Sequence, residues 1–405
     1  MNTDNARVPR STAWALGTIA CLSAVAVDSS IPAIPAVIDH LGITLAEGQR
    51  VISVYLLGFA LGQIPIGILS DRLGRLPVLL IGLTAYFLAT LATLFVSNIF
   101  DLSVARFCQG LAGASGSVLS RSMARDLVSG RELAKLNTMM VICLGLAMIF
   151  APIAGSAFVQ WLGWFGGFVP GLLIATLAAV MLKLCLRETL VAKSKDVSIL
   201  RQIMTSGGLF FRCAPALWGS LIIAFSFFGY MGLLSGFGHV LVQHYGVVGA
   251  SVGPLFSAAA IFYVAAALVS LRMLNRMQPM DLIKIGLWGY GLSLVLALAV
   301  IYLFPNSALM FWLSMIPFFA GLGVVFPSTM AIAMAPFSRG AGLAASIMGS
   351  LQMLFSAMGA ATTGWLDDGT STGMMQVMIL GIVLSVCVFL SGLLPTRLRT
   401  ELFKT

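Results

Sequence analysis

Long apolar stretches follow one another along the whole chain and constrain its fold more than any other feature. A helix that rises 1.5 Å per residue crosses a hydrocarbon core of ~30 Å in about 20 residues. Only 9% of the residues are charged, against about 25% in soluble domains, so the chain lacks the polar surface of a water-soluble particle. We therefore expect an all-α membrane protein with spans over residues 14–38, 47–69, 78–97, 101–123, 133–159, 166–186, 214–237, 247–271, 281–304, 309–333, 340–364 and 373–394.

Basic residues are distributed unevenly between the two ends of these spans. If the chain begins in the cytoplasm, all but two of its 23 Lys and Arg residues, Arg50 and Arg106, fall on the inner side. This bias predicts that both termini are cytoplasmic. It also explains the net charge of +9, because these residues face an anionic inner leaflet. Membrane lipid, and not nucleic acid, is the expected partner.

The longest polar segment separates six spans from six. It predicts an N-terminal six-helix bundle over 1–186, a cytoplasmic linker over 187–213 and a C-terminal six-helix bundle over 214–405. Asn275-Arg276 stands in the second half where Asp71-Arg72 stands in the first, at an offset of 204 residues. Internal repeats of this kind are expected in transporters, whose substrate site lies between the repeats near mid-membrane.

The turn between the second and third spans carries the densest group of special residues. It reads Gly67-Ile-Leu-Ser-Asp71-Arg72-Leu-Gly74-Arg75. Either glycine allows a close backbone approach or a positive φ. We expect Asp71 to cap the following helix and to accept hydrogen bonds from Arg72 or Arg75. The alternative interpretation is an ordinary basic turn on the inner membrane surface.

This string resembles the G-x-L-x-D-R-x-G-R signature of the major facilitator superfamily (MFS). The resemblance implies twelve transmembrane helices in two pseudo-symmetric six-helix bundles around a central cavity, working by alternating access. In that family such charges latch the halves together, and Asp126, at the inner end of span 4, is then a candidate partner for Arg75. Gly67, Asp71, Arg72 and Gly74 also belong to the expected gating group, as do Gly145, Pro152 and Gly155 of span 5.

Asp28 interrupts the first apolar span, ~21 Å from its inner end at 1.5 Å per residue. A carboxylate at that depth is costly unless it is paired, hydrated or protonated, so Asp28 is a candidate proton carrier. The alternative is that the span ends early and Asp28 lies in a surface loop. The string from Asp28 to Pro35, with Pro32 between them, resembles the D-x-x-x-P-x-x-P pattern of drug:proton antiporters of the bicyclomycin/chloramphenicol-resistance (Bcr/CflA) branch.

Arg106 lies about five residues into span 4, or ~8 Å deep, and we expect it to face the bundle interior close to Asp28. The alternative is an arginine that extends to the outer headgroups. The string Arg106-Phe-Cys-Gln109-Gly110 resembles the R-x-x-Q-G motif that the family associates with proton coupling.

Span 5 contains small residues around a proline. Gly145, Pro152 and Gly155 partly match the antiporter signature G-x-x-x-G-P-x-x-G-G, with Ala151 and Ser156 in place of two glycines. Small residues allow close helix contact and a proline bends the helix. The signature implies export, and its partial loss leaves the direction of transport open.

Aromatic residues and methionines crowd the second half of the chain. A flexible, polarizable lining suits varied apolar substrates, although most such residues pack or face lipid. The candidate substrate-binding residues are Gln109, Phe227, Tyr230, Met231, Phe319 and Gln352.

The histidines and cysteines show no metal-ligand spacing, and the sequence contains no phosphate-binding glycine loop and no nucleophile–base set. We therefore expect no cofactor and no metal. The hypothesis is a proton-coupled antiporter that exports small, mostly apolar or amphipathic compounds across a bacterial inner membrane, functional as a monomer. A proton-coupled importer on the same fold is the alternative, and an integral-membrane enzyme is a third class that lacks a catalytic cluster.

Overall fold

The computed structural model describes residues 8–128, 130–190, 207–274, 276–337, 341–366 and 369–391. Across these parts the regular structure is helical, and each predicted span corresponds to a helix. We number the helices α1 (Arg10–Leu41, broken), α2 (Leu45–Leu73), α3 (Arg75–Ala92), α4 (Ile99–Leu127), α5 (Gly130–Leu162), α6 (Val169–Cys185), α7 (Ala214–His239), α8 (Val252–Met273), α9 (Pro279–Leu303), α10 (Ala308–Met334), α11 (Ala341–Trp365) and α12 (Thr372–Leu390).

Ten segments of the described chain are long and apolar enough to cross a membrane. One of them, Lys135–Cys185, contains most of α5 and all of α6. α4 is not among the ten, yet it is 29 residues long. The described helices thus confirm the expected all-α, twelve-span fold class.

Polar side chains mark where several helices begin. At α2 the Thr44 hydroxyl accepts from the backbone N–H of Glu47, whose carboxylate accepts in return from the N–H of Thr44. The Asn98 side chain accepts from the N–H of Asp101 at the start of α4. Such caps bind N–H groups that have no acceptor inside the helix, so these two loops stabilise the starts of α2 and α4.

The chain divides into two compact units, Met1–Gln202 and Ile203–Thr405. In the first, α1 packs on α4, α5 and α6, while α2 and α3 pack on α4. In the second, α7 packs on α10, α11 and α12, while α8 and α9 pack on α10. The packing pattern therefore repeats from one unit to the other. Most of the predicted linker, 191–206, and Asn275 of the predicted sequence repeat lie outside the described residues.

α1 is interrupted in its middle. Helical segments over Arg10–Ala20 and Leu22–Asp28 are followed by a short 3₁₀ turn, Ile31–Ala33, and by a helix over Ile34–Leu41. A proline lacks the N–H that a regular helix needs, and Pro32 lies inside the 3₁₀ turn. Since the helix resumes after the turn, Asp28 lies within the first span, and the surface-loop alternative is wrong.

α5 holds the interrupted part of α1 in place. A Cβ atom at residue 155 would lie 2.2 Å from the backbone oxygen of Ser29, so only the glycine present there, Gly155, allows this approach. The Ser29 hydroxyl donates to the carbonyl of Gly167, at 2.9 Å, in the 3₁₀ turn that precedes α6. The backbone around Asp28 is therefore fixed from two sides.

Candidate functional site

A close crossing of α2 and α4 creates the site around Arg106. A Cβ atom at residue 110 would lie 2.0 Å from the backbone oxygen of Tyr55, so Gly110 lets the two backbones touch. Arg106 lies one helical turn before Gly110 and is only 1% exposed. The first unit therefore encloses a guanidinium group completely, and Arg106 does not extend to the membrane surface.

Three hydrogen bonds hold the Arg106 guanidinium. Nε donates to the backbone oxygen of Val51 on α2 at 3.1 Å, and Nη1 donates to Oε1 of Gln109 at 3.0 Å. Nη2 donates to the hydroxyl of Ser30, in the interrupted part of α1, at 3.3 Å. The same side chain therefore connects α1, α2 and α4.

Two aromatic rings lie against the same guanidinium. The Arg106 Cζ atom is 4.4 Å from the centre of the Tyr55 ring and 5.3 Å from that of Phe168. Cation–π contacts and neutral hydrogen-bond acceptors lower the cost of burying a charge, but they do not neutralise it. Among the described residues no ion pair to Arg106 is present, so the positive charge is uncompensated.

Gln109 extends this arrangement to α3. Its Nε2 atom donates to the Thr90 hydroxyl at 2.9 Å, while its Oε1 atom accepts from Arg106. Gln109 is fully buried, and both ends of its amide are bound within the first unit. The geometry makes Gln109 a partner that orients Arg106, and its expected contact with substrate stays a prediction.

Asp28 is buried, with 4% of its surface exposed. No described ion pair joins it to Arg106. The expected coupling of the two residues does not require direct contact, so it stays a prediction. Arg106 donates instead to the hydroxyl of Ser30, two residues further along α1. We call Ser30, Tyr55, Arg106 and Gln109 the Arg106 network; Asp28 precedes Ser30 by two residues.

A second polar cluster lies at the turn between α2 and α3. Gly74 ends α2 with φ = +114°, a conformation that favours glycine. Nη1 of Arg75 donates to the Asp71 carboxylate and, at 2.7 Å, to the Ser70 hydroxyl. Nε donates to the carboxylate of Asp126 at 2.9 Å, so the expected Arg75–Asp126 pair is present.

The expected cap of α3 by Asp71 is wrong. Asp71 still belongs to α2, where its carboxylate binds the Arg75 side chain. The N–H groups of Arg75 and Leu76 instead donate to the carboxylate of Glu188. Sequence reasoning missed Glu188. A signal existed, since the first turn of α3 contains no acidic residue of its own.

The remaining predicted gating residues occupy helical positions near these groups. Gly67 and Arg72 belong to α2, where Arg72 is half-buried in the last turn. Gly145 and Pro152 are buried in α5, and Gly155 contacts the interrupted part of α1. The structure thus confirms a close helix contact at Gly155, while the gating role of all five residues stays a prediction.

The predicted substrate residues of the second unit form an aromatic cluster between α7 and α10. Phe227 and Tyr230 lie 5.5 Å apart between ring centres, and Tyr230 lies 5.5 Å from Phe319. Tyr230 and Phe319 are 2% and 1% exposed. Met231 is also buried, and Gln352 on α11 is half-buried. Packing alone explains why the rings of Tyr230 and Phe319 are buried. The substrate-binding role of these five residues stays a prediction.

Comparisons with known proteins agree with this architecture. The family model described as Major Facilitator Superfamily matches residues 16–363. The chain belongs to the major facilitator superfamily. It is therefore a multi-pass membrane transporter of small molecules and not an enzyme.

The chain is similar to two curated relatives in sequence and to one solved structure in fold. The chain is 26% identical to the "Bicyclomycin resistance protein homolog" of Haemophilus influenzae, over 92% of the chain and 94% of that protein. It is 27% identical to "Multidrug resistance protein D" of Escherichia coli, over 88% and 89%. These relatives are consistent with the Bcr/CflA branch. A crystal structure of a D-xylose-proton symporter superposes with a TM-score of 0.76 at 13% identity, over 94% of this chain and 97% of that one, which shows the shared fold.

Proposed function

We propose that this transporter exchanges protons for small, mostly apolar or amphipathic compounds and exports them across a bacterial inner membrane, with both termini in the cytoplasm. The observation that carries the proposal is Asp28, an acidic residue buried inside the first span two residues before Ser30, whose hydroxyl accepts a hydrogen bond from Arg106. The names of the two curated relatives support drug or metabolite efflux. The distribution of Lys and Arg supports the orientation.

In the proposed cycle Asp28 carries the proton. Protonated Asp28 is neutral, and the positive charge of Arg106 is then met only by neutral groups, which are three hydrogen-bond acceptors and two aromatic rings. When the proton leaves, a carboxylate forms two residues from Ser30 and is attracted to the guanidinium. That attraction acts on the interrupted part of α1, which Arg106 already binds through Ser30.

Replacing Asp28 tests this assignment. Asp28→Asn keeps the size of the side chain but cannot titrate, so proton-driven transport should disappear while the purified protein stays folded. The matched control is Asp39→Asn, since Asp39 is an exposed carboxylate near the end of the same span and should tolerate the change. Bicyclomycin and chloramphenicol are suitable probes in proteoliposomes with an imposed pH gradient, and gradient-driven flux in Asp28→Asn would remove Asp28 from the coupling role.

The direction of transport is tested separately. In everted membrane vesicles an exporter accumulates the probe when the interior is acidified, whereas an importer on the same fold releases it. The question is open because Ala151 and Ser156 replace two glycines of the export signature in α5. Accumulation that depends on the pH gradient and on Asp28 supports export, and gradient-driven release supports the importer.

A further inference from the structure

The chain immediately after α6 folds back onto the start of α3. α6 ends at Cys185, and three residues later the Glu188 carboxylate accepts hydrogen bonds from the backbone N–H groups of Arg75, at 3.0 Å, and Leu76, at 3.1 Å. Its Oε1 atom also accepts from the N–H groups of Thr189 and Leu190, each at 3.0 Å. Four backbone donors therefore converge on one carboxylate.

The local sequence of α3 creates the need for this carboxylate. The first N–H groups of a helix have no acceptor within the helix and are normally bound by the residue before it. Gly74 occupies that position and has no side chain to offer, and Pro77 has no N–H at all. Arg75 and Leu76 thus carry the two unbound donors, and Glu188 binds both.

Gly74 also leaves the space that Glu188 fills. A Cβ atom at residue 74 would lie 2.6 Å from Oε2 of Glu188. Any other residue at this position would therefore collide with the carboxylate, besides having to adopt φ = +114°. The glycine of the turn and the glutamate 114 residues further on fit each other.

A second contact connects this segment to the ion pairs. The Thr189 hydroxyl donates to Oδ2 of Asp126 at 3.1 Å, the same oxygen that accepts from Nε of Arg75 at 2.9 Å. Glu188 therefore binds the backbone of Arg75. Thr189 binds the carboxylate of Asp126, which is the ion-pair partner of Arg75. We call Asp71, Arg75, Asp126, Glu188 and Thr189 the Arg75 cluster.

Glu188 is ionised across the neutral range. Partial burial alone would raise its pKa, but the backbone N–H groups of Leu190, Leu76, Arg75 and Thr189 outweigh that effect and lower the pKa below its ordinary value. An anionic acceptor at a helix N-terminus is also favoured by the helix dipole.

We propose that Glu188 is a positioning residue for transport. It fixes the N-terminus of α3 and thereby holds the Arg75 side chain between Asp71 and Asp126. The segment that follows α6 thus keeps the Arg75 cluster assembled. The proposal adds a residue to the predicted gating group of the α2–α3 turn. It rests on the proposed function only in the experiments that measure transport. Its structural part, the dependence of the turn on Glu188, is independent of substrate and direction.

Hydrogen exchange of the purified full-length transporter tests the structural part. Glu188→Ala removes the acceptor for Arg75 and Leu76, whose amides have no other partner in the helix, so their exchange should accelerate on the order of 10-fold, as expected for the loss of about 1.4 kcal/mol. Glu188→Gln keeps an acceptor oxygen without the charge and should lie between Glu188→Ala and the native protein. Glu132→Ala is the matched control, because Glu132 is another glutamate at a helix start, in the first turn of α5, and its described ion pair is the local one with Lys135.

Transport supplies the second readout. Glu188→Ala should lower the rate of proton-driven flux several-fold with unchanged substrate affinity, while Glu132→Ala should keep the native rate. Unchanged exchange of the Arg75 and Leu76 amides in Glu188→Ala would overturn the proposal, as would faster exchange together with a native transport rate. If these amides loosen in Glu188→Ala but the native chain shows no proton-driven flux, the proposed function fails and the structural part of this inference is supported.

Discussion

α4 and α10 have matching partners in their respective units, but their contents differ. α4 contains Asp101, Arg106, Arg121, Arg125 and Asp126, whereas α10 contains no charged residue along its 27 residues. Phe318 and Phe319 are buried in α10, in contact with rings of α9 and α7. α4 therefore carries a buried charge and α10 carries buried aromatic rings, although the helix packing repeats.

This difference between the two units helps to separate residues that the fold needs for packing from residues that it does not need. A buried polar network is costly compared with an apolar core of the same shape. The described residues of the second unit build the same six-helix arrangement without a buried charged side chain, so the arrangement itself does not need one. The Arg106 network is therefore a candidate functional site, and the substrate role of the aromatic cluster stays a prediction.

The α2–α3 and α8–α9 turns differ in the same way. Arg75 is a mostly buried side chain that binds two carboxylates, with 10% of its side chain exposed. After the α8–α9 turn, Lys284 pairs with Asp281 within α9 at 3.0 Å, and these side chains are 39% and 41% exposed. An exposed pair of this kind contributes little to stability.

The largest effect is expected for Arg106→Met. The change removes the charge and three hydrogen bonds but keeps an apolar side chain, so proton-driven transport should fall on the order of 100-fold while the melting temperature changes by only a few degrees. Phe318→Leu in the second unit is the counterpart, and it should lower stability by about 1 to 2 kcal/mol with transport reduced only in proportion to folded protein. Native coupling in Arg106→Met would end the functional interpretation of the network.

A pair of glycines gives the next largest effect. Gly155 on α5 and Gly359 on α11 lie 204 residues apart, and in each case a Cβ would meet a backbone oxygen, that of Ser29 at 2.2 Å and that of Phe228 at 2.0 Å. Gly155→Ala and Gly359→Ala should both destabilise the protein, by about 1 to 3 kcal/mol.

Only Gly155→Ala should also change the pH dependence of transport, because it displaces the segment next to Asp28. Thermal unfolding and flux against pH separate the two effects, and an identical pH profile in both variants would contradict the comparison.

The smallest contrast concerns the two turns. Arg75→Ala and Asp71→Asn should slow conformational cycling several-fold without weakening substrate affinity, whereas Lys284→Ala should stay within about twofold of the native rate, since an exposed pair is worth less than about 1 kcal/mol. Distance labels that follow alternating access, combined with equilibrium substrate binding, measure both quantities. Loss of affinity in Arg75→Ala with normal cycling would remove the gating role.

The sequence by itself determined the twelve spans, their division into six and six, and the residues worth testing. The hydropathy of a segment is the sum over its own residues, and a helix rises by a constant 1.5 Å per residue. The positions of the spans can therefore be predicted without knowing the fold. Asp28 and Arg106 could be found in the same way, because a charged residue inside an apolar run is visible in the sequence.

Only the tertiary structure decided which side chains meet. Arg106 binds Ser30, 76 positions away, because the packing of α1 and α2 on α4 brings the two residues together, and hydropathy does not encode that packing. Glu188 caps α3 from 113 positions away, because α6 ends beside the start of α3 once both helices pack in the first unit. Contacts between distant residues depend on how helices cross and where they break, and those geometries follow from the packing of the whole six-helix unit.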